Sequence, residues 1–511
     1  MKAIIIGSGI SGLTAACYLV KNGWEVAIYE QFNKIGGVTG QVEKEGYKWD
    51  LGQMLVEGFG PGEPVGLIFS ELGLENEIKT VRTERIYVFP DFALNKPETY
   101  SDFFWRREKF KELFPSDAEG IDKYYKLYIT MMEIATLARN TEHSRGLKSF
   151  LFKIRMFLKL LPLLPKMKWD AQKMMEYYFK SEKLQAVFLT ILADFVTPPT
   201  QFVGLGIPFI NPEASFDENI PLKISKIGVH PSYRYVLGGM GSMVSAFVEA
   251  IEKRGGKIYI NKPVKRIIIE NGTAKGILCE DGTKDMANVI IASGGAREIL
   301  LDTVGSENLP EEFVLKVKDI PLMESIFMVH LGIDFDPTPY QKLSTGYYYG
   351  SYDVDGAIKE CRNGHYHEGR DGFVVFIPTI FSPDLALPGH HAMTVYTIAP
   401  DTLNKGTWEE QKEELAEKLL IEAEKVIPGL REHAKTKVIM TPEDFRKITH
   451  LKHHAFGGTA PIMGRSGAPY KTPIKDLWFI GAQSESGAGL VNVMSGASRT
   501  AKKILKTFMK K

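Results

Sequence analysis

The chain has 511 residues, 44% of them hydrophobic and 24% charged, with a formal net charge of +1. That length exceeds one compact core and implies about two to three domains, and the balanced charge, with no basic run interleaved with aromatics, excludes a nucleic-acid-binding surface. Three isolated cysteines, Cys17, Cys279 and Cys361, exclude both a disulfide framework and a C-x-x-C redox dithiol, and they point to a reducing, cytoplasmic setting.

The first predicted strand, Lys2 to Ile6, leaves no room for a cleavable signal segment ahead of it. Gly7, Gly9 and Gly12 follow at G-x-G-x-x-G spacing, the residue type needed for a tight turn and for close approach of backbone to a pyrophosphate. A helix is expected from Leu13 to Asn22, closed by Gly23, with its N-terminal N–H groups and positive dipole end directed at the phosphates. The next strand ends at Glu30, where a carboxylate accepts bonds from ribose hydroxyls, and Gly36-Gly37 come soon after. The combination implies a bound dinucleotide. The bland alternative is a glycine turn that merely packs helix on strand.

Gly46 to Gly52 reads as a return loop, and Phe103 to Val196 as helical, with Leu, Met, Tyr and Phe at helical spacing. Inside that stretch, Arg145, Lys148, Lys153, Arg155, Lys159, Lys166 and Lys168 occur without an acidic residue between them. Phe150, Leu151, Phe152, Ile154, Met156, Phe157, Leu158, Leu160, Leu161, Leu163 and Leu164 fill the gaps. An apolar body with cationic flanks suits a membrane interface, with lysines reaching anionic headgroups. A buried helix with lysines along its wet edge is the alternative, and Pro162 and Pro165 cut the run. The terminal Lys502 to Lys511 segment is a weaker candidate for the same role. No uncharged apolar run reaches the roughly 18 residues of a spanning helix.

Pro198-Pro199 marks a break. Beyond Arg234 come Gly238-Gly239-Met240-Gly241, an amphipathic helix from Met243 to Arg254, and short β-branched strands at Lys257 to Ile260, Val264 to Ile269, Ala274 to Leu278 and Val289 to Ser293. An Asn271-Gly272 turn joins two of them as a hairpin. This block returns the chain to the dinucleotide domain, with Val264 where its backbone meets an adenine. Strands such as Phe373 to Pro378 and Met393 to Ile398 suggest a substrate sheet, followed by an amphipathic helix from Trp408 to Val426. His365, His367, His390 and His391 lack partners at ligand spacing, so no metal is expected. Tyr347-Tyr348-Tyr349 and Phe103-Phe104-Trp105 read as core, with an apolar tunnel as the second reading. Finally, Asp476 to Val491 reads as a strand, a glycine-rich turn and a helix starting near Val491.

The pattern from Gly7 to Gly37, with the Gly481 to Val491 element at the far end, resembles the flavoproteins in which FAD lies extended, including amine oxidases and phytoene desaturases. Over nearly its whole length the chain resembles the carotenoid-type branch: phytoene desaturases, carotenoid isomerases and retinol saturases. The residues that carry this are Gly7 to Gly12, Glu30, Gly36 to Gln41, Gly46 to Gly52, Gly238 to Gly241, Thr472 to Gly481 and Gly487 to Val491. The resemblance implies an α/β fold: a discontinuous Rossmann-like FAD domain of glutathione-reductase type (1–80, 230–315, 440–511), a mainly helical substrate and membrane-contact region (81–229) and an α+β substrate domain (316–439). It implies FAD contacts from Gly7, Ser8, Gly9, Ile10, Ser11, Gly12, Glu30, Gln31, Gly36, Gly37, Val38, Thr39, Val264, Ala292, Gly481, Ala482, Gly489, Leu490 and Val491.

The implied chemistry is hydride transfer at the flavin on an apolar isoprenoid or polyene, with NAD(P)H admitted as a transient reductant. Glu485 and His454 are the candidate catalytic residues, Glu485 as a proton donor or acceptor and His454 within the His453-His454 pair, which is a candidate for lining the substrate site. A loop carboxylate holding local N–H groups is the alternative for Glu485. Three departures from the family pattern stand out: Val38 replaces a usual arginine, Ala482 a frequent aspartate and Ser486 a frequent proline. The first counts against an amine oxidase; a flavin oxidase or dehydrogenase of another substrate, such as an amine or a small apolar acid, remains the second reading. A non-catalytic prenyl-binding protein of the GDP-dissociation-inhibitor type is the third.

Overall fold

The computed structural model describes residues 1–52, 54–142 and 144–508. Its organising element is a five-stranded sheet in the order Lys257–Tyr259, Glu25–Tyr29, Lys2–Ile6, Val289–Ser293, Leu477–Ile480. Every pairing in it is parallel. The strands are short and apolar because a parallel sheet is covered on both faces. One face carries helices Ile10–Lys21, Met240–Glu252 and Leu490–Phe508 over a core that includes Leu13, Val26, Ile28, Phe247, Ile291 and Met494. The other carries an antiparallel three-stranded sheet, Val264–Glu270, Thr273–Cys279 and Lys284–Met286. Its first two strands turn at Asn271 and Gly272, both with positive φ, as the Asn-Gly pair implies.

A seven-stranded sheet forms the second body, in the order Ala434–Met440, Ser325–Ile333, His391–Ala399, Gly372–Phe376, Thr345–Tyr349, Arg85–Val88, Ala93–Leu94. All its pairings are antiparallel except that of Thr345–Tyr349 with Arg85–Val88, which sets Arg85 opposite Thr345. Helix Trp408–Glu424 covers one side, opened by a capping box in which Thr407 and Glu410 satisfy each other's backbone N–H groups. The other side meets helices Trp105–Leu113, Ala118–Glu142, Ala171–Tyr178 and Glu182–Leu189.

Four local expectations are corrected. The first helix starts at Ile10, with Gly9 extended as its N-cap, so Gly12 lies within the first turn. A Cβ there would sit 2.2 Å from the Gly7 carbonyl oxygen, so the glycine serves close packing of helix on loop. The supposed return loop contains a strand, Tyr47–Asp50, paired antiparallel with Gln41–Lys44. The helix expected from Met243 begins at Met240. Strands Arg85–Val88 and Ala93–Leu94, in a stretch read as leading into helices, belong to the large sheet.

Candidate functional site

The glycine loop and Glu30 form one hydrogen-bonded unit. Ser8 donates its backbone N–H and its hydroxyl to Glu30 Oε2, at 2.8 and 2.6 Å, while Phe32 N–H donates to Oε1 at 2.8 Å. The Glu30 backbone is tied to Tyr259 and Lys262, which places Val264 two residues further along the same edge. Gly36 and Gly37 both adopt positive φ, and the Gly36 N–H reaches the Ser8 hydroxyl at 3.3 Å. Gln31 donates instead to the Thr449 carbonyl.

Gly9 has an ordinary φ of −62°, and a Cβ added there meets no atom within 4 Å. Neither strain nor packing within the protein requires a glycine at that position. Open space in front of a helix N-terminus is what a pyrophosphate needs. Gly487 likewise faces open space, and at Gly489 only Asn492 comes near. These cradles fit an extended dinucleotide.

The C-terminal element closes the same space. Strand Leu477–Ile480 ends at Gly481 (φ 107°), whose carbonyl accepts the hydroxyls of Ser484 and Ser486 at 2.6 and 3.1 Å. Ser486, the departure from proline, thereby fixes the turn before helix Leu490–Phe508. Between this turn and the glycine loop lies a cavity of about 650 Å³. Gly9, Ile10, Ser11, Gly36, Val38, Thr39, Ala482, Gly489, Leu490 and Val491 line it, ten of the expected contacts. The positive end of the helix dipole at Leu490 suits negative charge on a reduced flavin.

The far walls come from the large sheet and the helical region. Met54, Leu55, Ile191, Phe195, Phe202, Phe376 and Ile398 make much of the lining apolar. Three charged residues interrupt these far walls, Glu57, Arg85 and Asp194; two more, Glu485 and the Asp319-paired Arg465, line the cavity elsewhere. The Glu57 and Asp194 carboxyls are half-buried because they face the cavity, yet they lie deep in the molecule. Burial pushes both up to about 7, against the opposing pull of Arg85. Sequence reasoning singled out none of the three, and a lone charge in a short apolar segment carries no spacing signal.

Other expected residues sit elsewhere. Ala292 is fully buried inside the five-stranded sheet; its neighbour Ser293 is the residue that reaches the loop, through a 2.8 Å contact with the Ser11 hydroxyl. His454 is buried outside the cavity lining, 2.7 Å from the Ser325 hydroxyl and stacked on Phe445, and burial holds its pKa down to about 3. Glu485 lines the cavity, is exposed, and accepts the Tyr470 backbone N–H at 3.1 Å. Gln41 and Asp50, within the blocks that carry the resemblance, clamp the Gly238–Met240 turn: Gln41 donates to Asp50 and to the Gly238 carbonyl, and Met240 N–H donates to Asp50. Tyr347 lines the cavity, whereas Tyr348 packs in the core beyond it. Among the described residues no group of three His, Cys, Asp or Glu is placed to hold a metal.

The profile of the flavin containing amine oxidoreductase family matches residues 10–502. The chain belongs to this family. It is 24% identical to the 4,4'-diapophytoene desaturase of Staphylococcus aureus (strain COL), over 99% of each chain, and 24% identical to the chloroplastic prolycopene isomerase of Daucus carota, over 96% of this chain and 78% of the isomerase. An oxidoreductase of Methanosarcina mazei has the same fold, with a TM-score of 0.62, 19% identity and full coverage of both chains. This member of the family is therefore an FAD-dependent oxidoreductase, and the non-catalytic prenyl-binding reading falls away. Its glycine loop, Glu30, Gly36-Gly37 and the Gly481–Val491 turn are the residues that would hold FAD.

Proposed function

We propose that this flavoenzyme acts on C–C or C=C bonds of an elongated, mostly apolar isoprenoid or polyene, as a desaturase, saturase or cis-trans isomerase. The observation that carries the reading is the cavity: one continuous space touches both cofactor-binding segments and runs on between Met54, Leu55, Phe195, Phe202 and Ile398. FAD, when bound, supplies two-electron acceptance or donation. The chain's own task is then to exclude water and to hold a carbon against the flavin, which requires shape rather than a charged acid–base pair. An amine substrate would bring a cation toward the wall where Arg85 holds a fixed positive charge, which counts against an amine within the second reading.

Delivery from a membrane completes the proposal. Helix Gly146–Leu160 buries none of its residues. Leu147, Phe150, Leu151, Ile154, Phe157 and Leu158 form an exposed stripe at helical spacing, with Leu147 73% and Phe157 58% exposed. Lys159 pairs with Glu133 and Lys166 packs on Tyr177, but Arg145, Lys148, Lys153, Arg155 and Lys168 make no ion pair among the described residues. Lys502 is bound to Glu71, and Lys510 and Lys511 lie outside the described residues. No described helix is long and apolar enough to cross a membrane, so the stripe would lie in one leaflet. Three buried free cysteines fit a cytoplasmic face.

Anaerobic absorbance spectroscopy of the holoenzyme tests the reading. Bleaching of the flavin by a partly saturated polyisoprenoid means desaturation. Recovery of a dithionite-reduced flavin on adding a polyene means saturation, and a changed product isomer without net bleaching means isomerisation. Bleaching by amines, with silence toward every isoprenoid, would overturn it.

A further inference from the structure

Arg85 and Arg106 are two buried guanidiniums that share the ring of Phe216, yet their charges are treated differently. Arg106 is 0% exposed, lies 3.6 Å from the ring centroid and is neutralised by Glu213 at 3.2 Å. Arg85 is 3% exposed and makes no ion pair among the described residues. Its two hydrogen bonds, to the Tyr233 hydroxyl and the Ile210 carbonyl, are long at 3.4 Å each, and its buried Nε has no partner. Four rings surround it, those of Tyr87, Phe216, Tyr233 and Tyr347, with centroids 5.0–5.2 Å away.

A guanidinium keeps its charge in any protein setting, and an unpaired buried charge is strongly unfavourable. Ring faces offset part of that cost and leave the in-plane N–H donors with two long hydrogen bonds and an unpartnered Nε. Glu57 and Asp194, the neighbouring carboxyls, make no ion pair with Arg85 among the described residues, and burial pushes both up to about 7. Arg85 lines the same cavity as the flavin-binding segments but enters from the large sheet. Its position is that of a group awaiting an anion from inside the cavity.

We infer that Arg85 is the specificity-determining anchor for a substrate that carries a carboxylate at the end of an apolar chain. The inference rests on the cavity reading above and narrows its substrate class from a plain hydrocarbon to an amphiphilic acid. The planar fork takes a carboxylate side-on through two parallel N–H donors, and one guanidinium matches one negative charge. Anchoring one end sets how far along the chain the reacting carbon lies, so a single position is presented to the flavin.

Binding to the oxidised holoenzyme, measured by calorimetry in neutral detergent, separates the possibilities. The probes are a diterpenoid acid, its alcohol, its monophosphate, the matching hydrocarbon and palmitic acid. The acid should bind at least about tenfold more tightly than the alcohol and hydrocarbon, as a charge-assisted bidentate contact implies. Arg85→Met should bring the acid down to the alcohol's affinity while the alcohol and hydrocarbon stay within about threefold, and Arg85→Lys should retain part of the preference. Equal affinity for acid and hydrocarbon in the unaltered enzyme, which needs no variant to fold, overturns the anchor and leaves the isoprenoid reading standing. A monophosphate that outcompetes the acid through Arg85 overturns the carboxylate assignment in favour of a phosphate ester. Palmitic acid held through Arg85, with every isoprenoid rejected, supports the anchor and removes the isoprenoid reading instead.

Discussion

Ser8 and Glu30 are joined twice, by a backbone N–H and by a hydroxyl that both donate to Glu30 Oε2. The carboxylate that ends one strand is thus locked to the loop that ends another, and both halves of the ribose-pyrophosphate cradle are set by the protein alone. Glu30→Ala releases the loop and removes the ribose acceptor together. Flavin-to-protein absorbance of the purified enzyme should fall, and FAD affinity should drop by roughly 10- to 100-fold, the range for losing charge-assisted hydrogen bonds. Full flavin occupancy in this variant would show that Glu30 does not hold the cofactor.

Gly9 and Gly12 separate two uses of one motif. Gly12→Ala drives a methyl group into the Gly7 carbonyl oxygen, a backbone atom that cannot swing aside as a side-chain end can. It should destabilise the fold itself by about 1–3 kcal/mol, visible as a lower Tm in the FAD-free protein. Gly9→Ala meets nothing in the protein and has an ordinary φ. It should leave the FAD-free Tm unchanged and weaken FAD. Equal Tm losses in the two variants would refute this division.

The parts of the molecule legible in the sequence are those where residue type dictates backbone geometry locally. Gly7, Gly9, Gly36, Gly37, Gly481 and the Asn271-Gly272 turn all stand where a positive φ or open space requires them. The buried strands Val289–Ser293 and Leu477–Ile480 are legible because a covered parallel strand is a short apolar run. The start of the first helix was not, because Gly12 is a weak helix former and makes the turn seem to end later. Strand Arg85–Val88 was illegible for another reason: its pairing partner, Thr345–Tyr349, is far away in sequence, and its first residue is charged. His453-His454 read as one candidate pair, but Ser325 and Asp401 from other elements pull His454 into the core.

That placement separates His454 from proton handling. His454→Ala leaves the Ser325 hydroxyl without its partner and removes a stacked ring from Phe445. The expected result is a stability loss of about 1–3 kcal/mol with unchanged FAD affinity and an unchanged pH dependence of turnover. A shifted pH profile at intact stability would return His454 to the catalytic role.

Asp194 gives the pH dependence a sign. Burial raises its pKa from 3.8 to about 7 in the folded protein. Between those values the native state holds a proton that the unfolded chain has released, so this residue's contribution to stability falls as pH rises and is lowest above about 7. Asp194→Asn removes the titration. The variant should melt roughly 2 °C or more above the parent at pH values above about 7.5, with the gap closing toward pH 4. A gap that widened on acidification would mean that Arg85, and not burial, controls the carboxyl.

The exposed stripe on helix Gly146–Leu160 makes the last prediction, because its two components respond to different lipids. Apolar insertion depends on Leu147, Phe150 and Phe157, whichever headgroup is present, and should account for most of the affinity, since each such side chain contributes up to about 1.5–3 kcal/mol on full burial. The free cations Lys148 and Lys153 add about 1 kcal/mol each, and only on anionic surfaces. Replacing the three apolar residues with serine should therefore abolish flotation with both neutral and anionic vesicles. Lys148→Glu with Lys153→Glu should weaken anionic-vesicle binding by roughly tenfold or more and leave weak neutral-vesicle binding as it was. Because Leu147, Phe150 and Phe157 are exposed, the serine variant should keep the parent Tm and flavin content. Unimpaired flotation of that variant would mean that the stripe does not contact the membrane.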